Sequence, residues 1–234
     1  MVESFLAENQ YGFFCIPAES SHRPAAQEVL AGRVWEPETT AFLAERGAAG
    51  DVLTAGAYFG DMIPAAAAGG RTVWAFEPDP VSYRCAEWTA RLNGLGNVRL
   101  RNAALGDAAG TVQLQVGSRG VALGGSSFIR ERRGVVYEQL RRVRRPRSEQ
   151  VELVRIDDAV DSRALSVIHL DVERREGPAL AGGIRTIERC LPELVLETIP
   201  ADHPIWERIT ALGYRVSGKL DRNYRLSPNG GPER

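Results

Sequence analysis

Apolar and polar positions follow two different rhythms along this chain, and the order in which the rhythms occur predicts an α/β sheet. Short apolar runs at 52–55, 72–76, 98–100, 166–170 and 194–196 have the length and flanking turn residues of buried strands. Between them the repeat lengthens. After Asp79-Pro80, a cap and first-turn pair, Val81, Cys85, Trp88 and Leu92 recur every three or four residues until Asn93-Gly94, which predicts a helix with those four side chains inward. Leu180, Ile184, Ile187 and Leu191 predict another helix, and Asp202 is expected to cap a third that runs to Leu212 and ends at Gly213. The run 111–116 alternates with period two and reads as an extra exposed strand or hairpin arm, while 214–217 and 224–226 read as a closing pair of strands. Strands separated by helices mean a mostly parallel sheet, whose ligands collect at the carboxyl ends of its strands.

Within that frame the stretch DVLTAGAYFGDMIPAAAAGGRTVWAFEPDP (51–80) carries the chemistry. Gly56 and Gly60 let the backbone turn tightly and approach a ligand where a Cβ would intrude. Glu77 ends the next strand, where a carboxylate accepts hydrogen bonds from the two hydroxyls of a ribose. A dinucleotide needs Gly-x-Gly-x-x-Gly so that a pyrophosphate can sit on a helix N-terminus, whereas Tyr58 and Phe59 fill the gap here. There is no Gly-Lys-Ser/Thr string, and the single lysine, Lys219, is far from the turn. A loop that cradles an amino-acid tail instead of phosphates suits S-adenosylmethionine; the alternative is a purely structural turn.

Composition narrows the class. A chain of 234 residues, 44% hydrophobic, can bury one large α/β core without a second one. A formal net charge of −1 gives no reason to expect nucleic acid or membrane as partner, and no apolar run approaches the roughly 20 residues that span a bilayer. Cys15, Cys85 and Cys190 fit neither a disulfide framework nor a metal knot and read as thiols of a cytoplasmic protein. The segment RERRGVVYEQLRRVRRPR (130–147) is either an electropositive flap or a solvated insert, and the chain's general use of arginine for positive charge favours the insert.

The ordered strings TAGAYFGD, WAFEPDP, NAALGDAAG, IHLDVERRE and LPELVLE resemble those of the FkbM-type methyltransferases over about residues 50 to 200, and YGFFCIPAESSHRPAAQEVLAGRVWE resembles an N-terminal cap of one branch of that family. The resemblance implies a class I methyltransferase Rossmann-like fold with a mostly parallel seven-stranded sheet, helices on both faces and a cap. Residues 1–49 would be the cap, and residues 50–234 the S-adenosylmethionine-binding domain with a basic insert at about 117–150. It implies O-methyl transfer to a hydroxyl of a sugar, glycolipid or small natural product. Gly56, Ala57, Tyr58 and Gly60 would wrap the methionine and ribose, Glu77 with Pro78 would hold the ribose hydroxyls, and Asn102, Ala103 and Ala104 would border the adenine. Two positions depart from the pattern. Thr54 stands where an Asp is expected, so that Asp61 or Glu36 would take over the contact to the methionine amino group, and Arg174 stands where a Gly is expected, adding bulk beside the site.

Methyl transfer needs an acceptor oxygen that is close, aligned and partly deprotonated. Asp171, at the end of its strand, and Glu173 are the first candidates to orient a hydroxyl, accept its proton or hold a divalent ion such as Mg2+ with sugar oxygens; their alternative is to cap the next helix. His22 and His203 are further candidate bases, and His169, inside a strand, reads as a hydrogen-bonded core residue. The segment 11–36 can fold over the strand ends as a lid or pad the core or a homo-oligomer contact. Other classes stay open: a methyltransferase on nucleic acid or protein, or a cofactor-binding partner without catalysis.

Overall fold

The computed structural model describes residues 2–118, 121–122, 128–129 and 147–228. The arginine-rich stretch 130–146 and most of the basic insert lie outside the described residues. The chain begins with an antiparallel hairpin, β1 (Ser4–Asn9) and β2 (Gly12–Pro17), then a 3-10 turn (Ala18–Ser20), α1 (Pro24–Leu30) and α2 (Pro37–Ala49). The alternating part follows as β3 (Asp51–Ala55), α3 (Ile63–Ala67), β4 (Val73–Phe76), α4 (Pro80–Leu92), β5 (Val98–Arg101), β6 (Ala103–Leu105), β7 (Gly110–Ser118), β8 (Val121–Ala122), β9 (Phe128–Ile129) and β10 (Arg147–Val154). It closes with α5 (Ile156–Ala159), β11 (Leu165–Leu170), α6 (Glu176–Gly182), α7 (Ile184–Cys190), β12 (Glu193–Leu196), α8 (Ile205–Ala211), β13 (Arg215–Leu220) and β14 (Asn223–Ser227).

Seven strands form the main sheet in the order β13-β14-β12-β11-β3-β4-β5, parallel from β12 to β5 and antiparallel at β14 and β13. Central strands of such a sheet are covered on both faces, which is why they read as unbroken apolar runs. Leu53, Ala55, Phe76, Ile168, Leu170 and Leu196 point to one face, against Leu180, Ile187 and Ile209 of α6, α7 and α8. Val52, Val73, Ala75, Val167 and Val195 point to the other, against Leu43, Ile63, Ala66 and Ala86 of α2, α3 and α4. A second sheet, β6-β10-β7-β8 with β9 on β7, accommodates the period-two run at 111–116 through its pairing with β10.

Three expectations are corrected. The Asp79 side chain does cap α4, accepting from the Val81 N–H at 2.9 Å, but the buried stripe of that helix is Ser82, Cys85, Ala86 and Thr89, while Trp88 and Leu92 are 52% and 42% exposed. The helix is turned by its polar contacts: the Thr89 hydroxyl accepts from the Cys15 N–H of β2 and donates to the Phe59 carbonyl. The helix expected from Leu180 to Leu191 is two helices. The chain breaks at Gly183, where a Cβ would press on Ile156, and the Asp157 carboxylate accepts from the backbone N–H groups of Arg185 and Thr186 at the new start. Asp202 caps nothing, because α8 starts at Ile205, whose N–H is donated to His203 Nδ1 at 3.2 Å.

Candidate active site

Parallel order puts four strand ends along one edge, and the first residue beyond each strand faces that edge: Gly56 after β3, Glu77 after β4, Asp171 after β11 and Glu197 after β12. Backbone bonds to the neighbouring strand hold all four. The N–H of Gly56 is donated to the Phe76 carbonyl (3.0 Å), that of Glu77 to Arg101 (3.1 Å), that of Asp171 to Ala55 (3.0 Å) and that of Glu197 to Leu170 (3.1 Å). Gly56 is obligatory here on two grounds: its φ is +81°, and a Cβ would run into the backbone carbonyl of Asp171.

The loop after Gly56 is tied down from both sides. Glu77 is almost fully buried, and its carboxylate accepts from the Tyr58 N–H at 2.7 Å and the Asp79 N–H at 2.8 Å. Burial, followed by the charge of Asp79, pushes its carboxyl well above the usual range. The Asn102 amide donates to the carbonyls of Glu77 (2.7 Å) and Pro78 (3.0 Å), with Ala103 and Ala104 buried beside it. Tyr58 adopts a left-handed φ of 48° and donates its hydroxyl to Ser20 Oγ at 2.7 Å, so the loop is fastened to the N-terminal segment. That segment both pads the core, through Phe14, Ile16 and Val29 against Phe59, and walls the site, through Arg23, Pro24 and Ala25.

Between the loop and the strand ends lies a cavity of about 120 Å3. Pockets that bury a drug-sized ligand whole run to roughly 300–1,000 Å3, so this one is too small to enclose such a molecule entirely. Five carboxylates line it, Glu36, Asp61, Asp171, Glu173 and Glu197, against two arginines, Arg23 and Arg222. Burial, reinforced by Glu197, Glu36 and Glu173, pushes Asp171 well above the usual carboxylate range. Burial and the charge of Glu36 push Asp61 up to about 7. Burial is also the first cause that raises Glu36, which accepts from the Asn223 amide at 2.7 Å. Neutral polar groups complete the floor: Thr54 and His169, cross-strand neighbours, share a hydrogen bond of 3.0 Å between Oγ1 and Nδ1. Burial pulls His169 down to about 4, so its ring is neutral at physiological pH.

Of the residues singled out in the sequence, Gly56, Ala57, Tyr58, Asp61, Glu36, Asp171 and Glu173 meet at this cavity. Gly60, Glu77, Pro78, Asn102, Ala103 and Ala104 stand behind the loop, outside the cavity wall. His22 is exposed and lies outside as well; Arg23 is the residue of that segment that reaches in. Arg174 keeps the left-handed backbone a glycine would adopt, φ 66°, but its side chain is exposed and adds no bulk to the cavity. His169, Glu197, Trp35 and Arg222 are lining residues that the sequence reading did not place there. Two were traceable: Glu197 ends its strand as Glu77 and Asp171 do, and His169 shares a face with Thr54 by alternation. Among the described residues no three His, Cys, Asp or Glu side chains are grouped so as to hold a metal ion such as Mg2+. Also among them, no helix is long and apolar enough to cross a membrane.

A seven-stranded sheet with an antiparallel closing pair and a glycine turn after the inner parallel strand β3 defines the class I methyltransferase fold. Residues 55–216 match the family described as the methyltransferase FkbM domain, and the chain belongs to that family. Among solved structures it is similar to an FkbM methyltransferase from Methylobacillus flagellatus, with 17% identity, a TM-score of 0.50, and coverage of 76% of this chain but 43% of that one. It is also similar to a tRNA (uracil-54, C5)-methyltransferase of Pyrococcus abyssi in complex with S-adenosyl-L-homocysteine, with 11% identity, a TM-score of 0.50, and coverage of 97% of this chain and 44% of that one. The chain therefore spans less than half the length of either structure. No curated protein matches it significantly.

Proposed function

We propose that this protein is an S-adenosylmethionine-dependent O-methyltransferase whose acceptor is a hydroxyl of a sugar or small natural product. The observation that carries the reading is the convergence of the Gly56 loop and the Asp171, Glu173 and Glu197 carboxylates on one cavity. The donor set fits the cofactor: a zwitterionic amino-acid tail finds acids for its ammonium and arginines for its carboxylate. Glu36 and Asp61 both reach the cavity that Thr54 lines, and stand in for the acid that Thr54 replaces. Once bound, the cofactor supplies a methyl group on a sulfonium, open to in-line displacement by an oxygen.

The rest is done by the chain. Glu77 fixes the loop through the Tyr58 N–H and offers its remaining lone pairs to ribose hydroxyls. Asp171, held against the loop by its backbone bond to Ala55, orients the acceptor hydroxyl and takes its proton. Its raised pKa makes it a better proton acceptor once ionised than an ordinary carboxylate. The N-terminal segment closes one side and limits water. Calorimetry with S-adenosylmethionine and S-adenosylhomocysteine, with NAD as control, tests the cofactor; heat from NAD alone would restore the dinucleotide reading. For the chemistry, Asp171→Asn should keep cofactor affinity within a few-fold and slow methyl transfer roughly 100-fold, the scale of a general base. Near-normal turnover would remove Asp171 from the mechanism.

A further inference from the structure

The N-terminal hairpin meets α4 through a pair of thiols that the candidate site does not use. Cys15 of β2 and Cys85 of α4 are 4% and 0% exposed and belong to one buried cluster with Phe14, Ile16 and Phe59. The backbone sets their approach: the Cys15 N–H is donated to Thr89 Oγ1 at 3.0 Å, and Thr89 stands one turn beyond Cys85 on the buried stripe of α4. The two thiols share a hydrogen bond, and the Ser4 hydroxyl, on the same face of the hairpin as Cys15 by register, donates to the Cys15 sulfur. Cysteines that served only as small apolar fillers would need neither contact. The bond from Cys85 first, and that from Ser4 as well, hold the Cys15 thiol below the usual range against the effect of burial, while the same contact and burial push Cys85 up. Cys15 is therefore the nucleophile of the pair and Cys85 its resolving thiol.

We propose that Cys15 and Cys85 form a redox pair, which a peroxide converts to a disulfide that clasps the hairpin to α4. The Cys15 thiolate attacks one oxygen of hydrogen peroxide and the O–O bond breaks. The departing hydroxide takes up the proton that the thiol gave up and becomes water, leaving Cys15 as a sulfenic acid. The Cys85 sulfur then attacks Cys15 Sγ, the S–O bond breaks, and the hydroxyl leaves as a second water with the Cys85 proton. In sum two thiols lose two electrons and two protons, and one peroxide becomes two waters. Exchange with two glutathione thiols restores the dithiol and leaves oxidised glutathione. The clasp acts on the wall of the site, because the segment it ties down carries Arg23, Pro24 and Ala25 to the cavity and meets the Gly56 loop through the Tyr58–Ser20 hydrogen bond.

To test the pair, the full chain is treated with excess hydrogen peroxide near neutral pH and the peroxide is removed with catalase. Free thiols are then blocked with N-ethylmaleimide in urea, and the unreduced peptides are mapped by mass spectrometry. The expected product is a cross-linked peptide pair carrying Cys15 and Cys85, which dithiothreitol separates, with Cys190 recovered alkylated. Cys190 is the internal control, since it packs in a different cluster and its thiol is donated to the Ser162 carbonyl at 3.8 Å. The oxidised chain should melt roughly 4–16 °C above the reduced one, the shift that a disulfide closing a long loop gives a chain of this size. Cys85→Ala should remove both the cross-link and the shift and leave Cys15 as a sulfenic acid that dimedone labels. Recovery of Cys15 and Cys85 as free thiols, or pairing of either with Cys190, overturns the proposal, and a cross-linked chain that melts no higher overturns the clasp. The mapping uses the unaltered chain, so it decides the matter even where Cys85→Ala fails to fold.

Discussion

Gly56→Ala isolates the contact on which the site geometry depends. Its first cost is conformational: the position has φ +81°, and an L-residue in that region loses about 1–2 kcal/mol. Its second cost is a collision between the new Cβ and the backbone carbonyl of Asp171, which cannot swing aside as a side chain would. Relief requires parting β3 from β11 at their carboxyl ends, where the Asp171 N–H to Ala55 carbonyl bond of 3.0 Å lies, and losing a buried bond of that kind adds about 1–3 kcal/mol. The sum, roughly 2–5 kcal/mol, is a large share of the 5–15 kcal/mol typical of a domain. Gly70→Ala supplies the control, because Gly70 has nearly the same φ, +76°, with nothing within 4 Å of the added Cβ. Urea unfolding followed by circular dichroism compares the two, and calorimetry with S-adenosylhomocysteine reads the site. Gly56→Ala should unfold at clearly lower urea than Gly70→Ala and lose ligand affinity; equal midpoints would refute the argument that the Asp171 carbonyl makes this glycine obligatory.

Arg174→Gly should raise stability by about 0.5–1 kcal/mol, the relief of a left-handed φ less the entropy of glycine, with no change in ligand affinity, and thermal melts check it. Glu77→Gln leaves one of the Tyr58 and Asp79 N–H groups facing an amide N–H instead of an acceptor, so stability should fall by about 1–3 kcal/mol and binding of S-adenosylhomocysteine should weaken, both measurable in one calorimetric series. Glu176 is buried with Oε1 unpartnered, and burial pushes its carboxyl up to about 7. The folded state therefore holds this proton more tightly than the unfolded state, and stability falls as pH rises from about 4 to 7, by at most roughly 3 kcal/mol from this group, then levels off. In urea titrations between pH 5 and 8, Glu176→Gln should flatten that slope.

The sequence by itself determined whatever depends on the backbone chemistry of neighbouring residues. The alternating strands and helices, the Asp79 cap, the tight turn at Gly56 and Gly60, and the acid ending β4 are each set within a few positions, and all could be read. The strands of the main sheet were legible as short unbroken apolar runs, and period two showed only in the run 111–116. Tertiary structure decided what depends on elements far apart in the chain. Whether Trp88 or Thr89 faces inward was set by the N-terminal hairpin, whose Cys15 N–H claims the threonine hydroxyl. The helical repeat breaks at Gly183, where Ile156 leaves no room for a Cβ and Asp157, from a distant element, accepts the N–H groups of Arg185 and Thr186. His169 became part of the cavity through Thr54, 115 positions earlier, and Arg23 displaced His22 as the reaching residue through the packing of the cap. A single sequence states which groups can ionise, but the order of strands in the sheet decides which of them meet, and in this protein the pairing of β11 with β12 sets Asp171 and Glu197 side by side at one cavity.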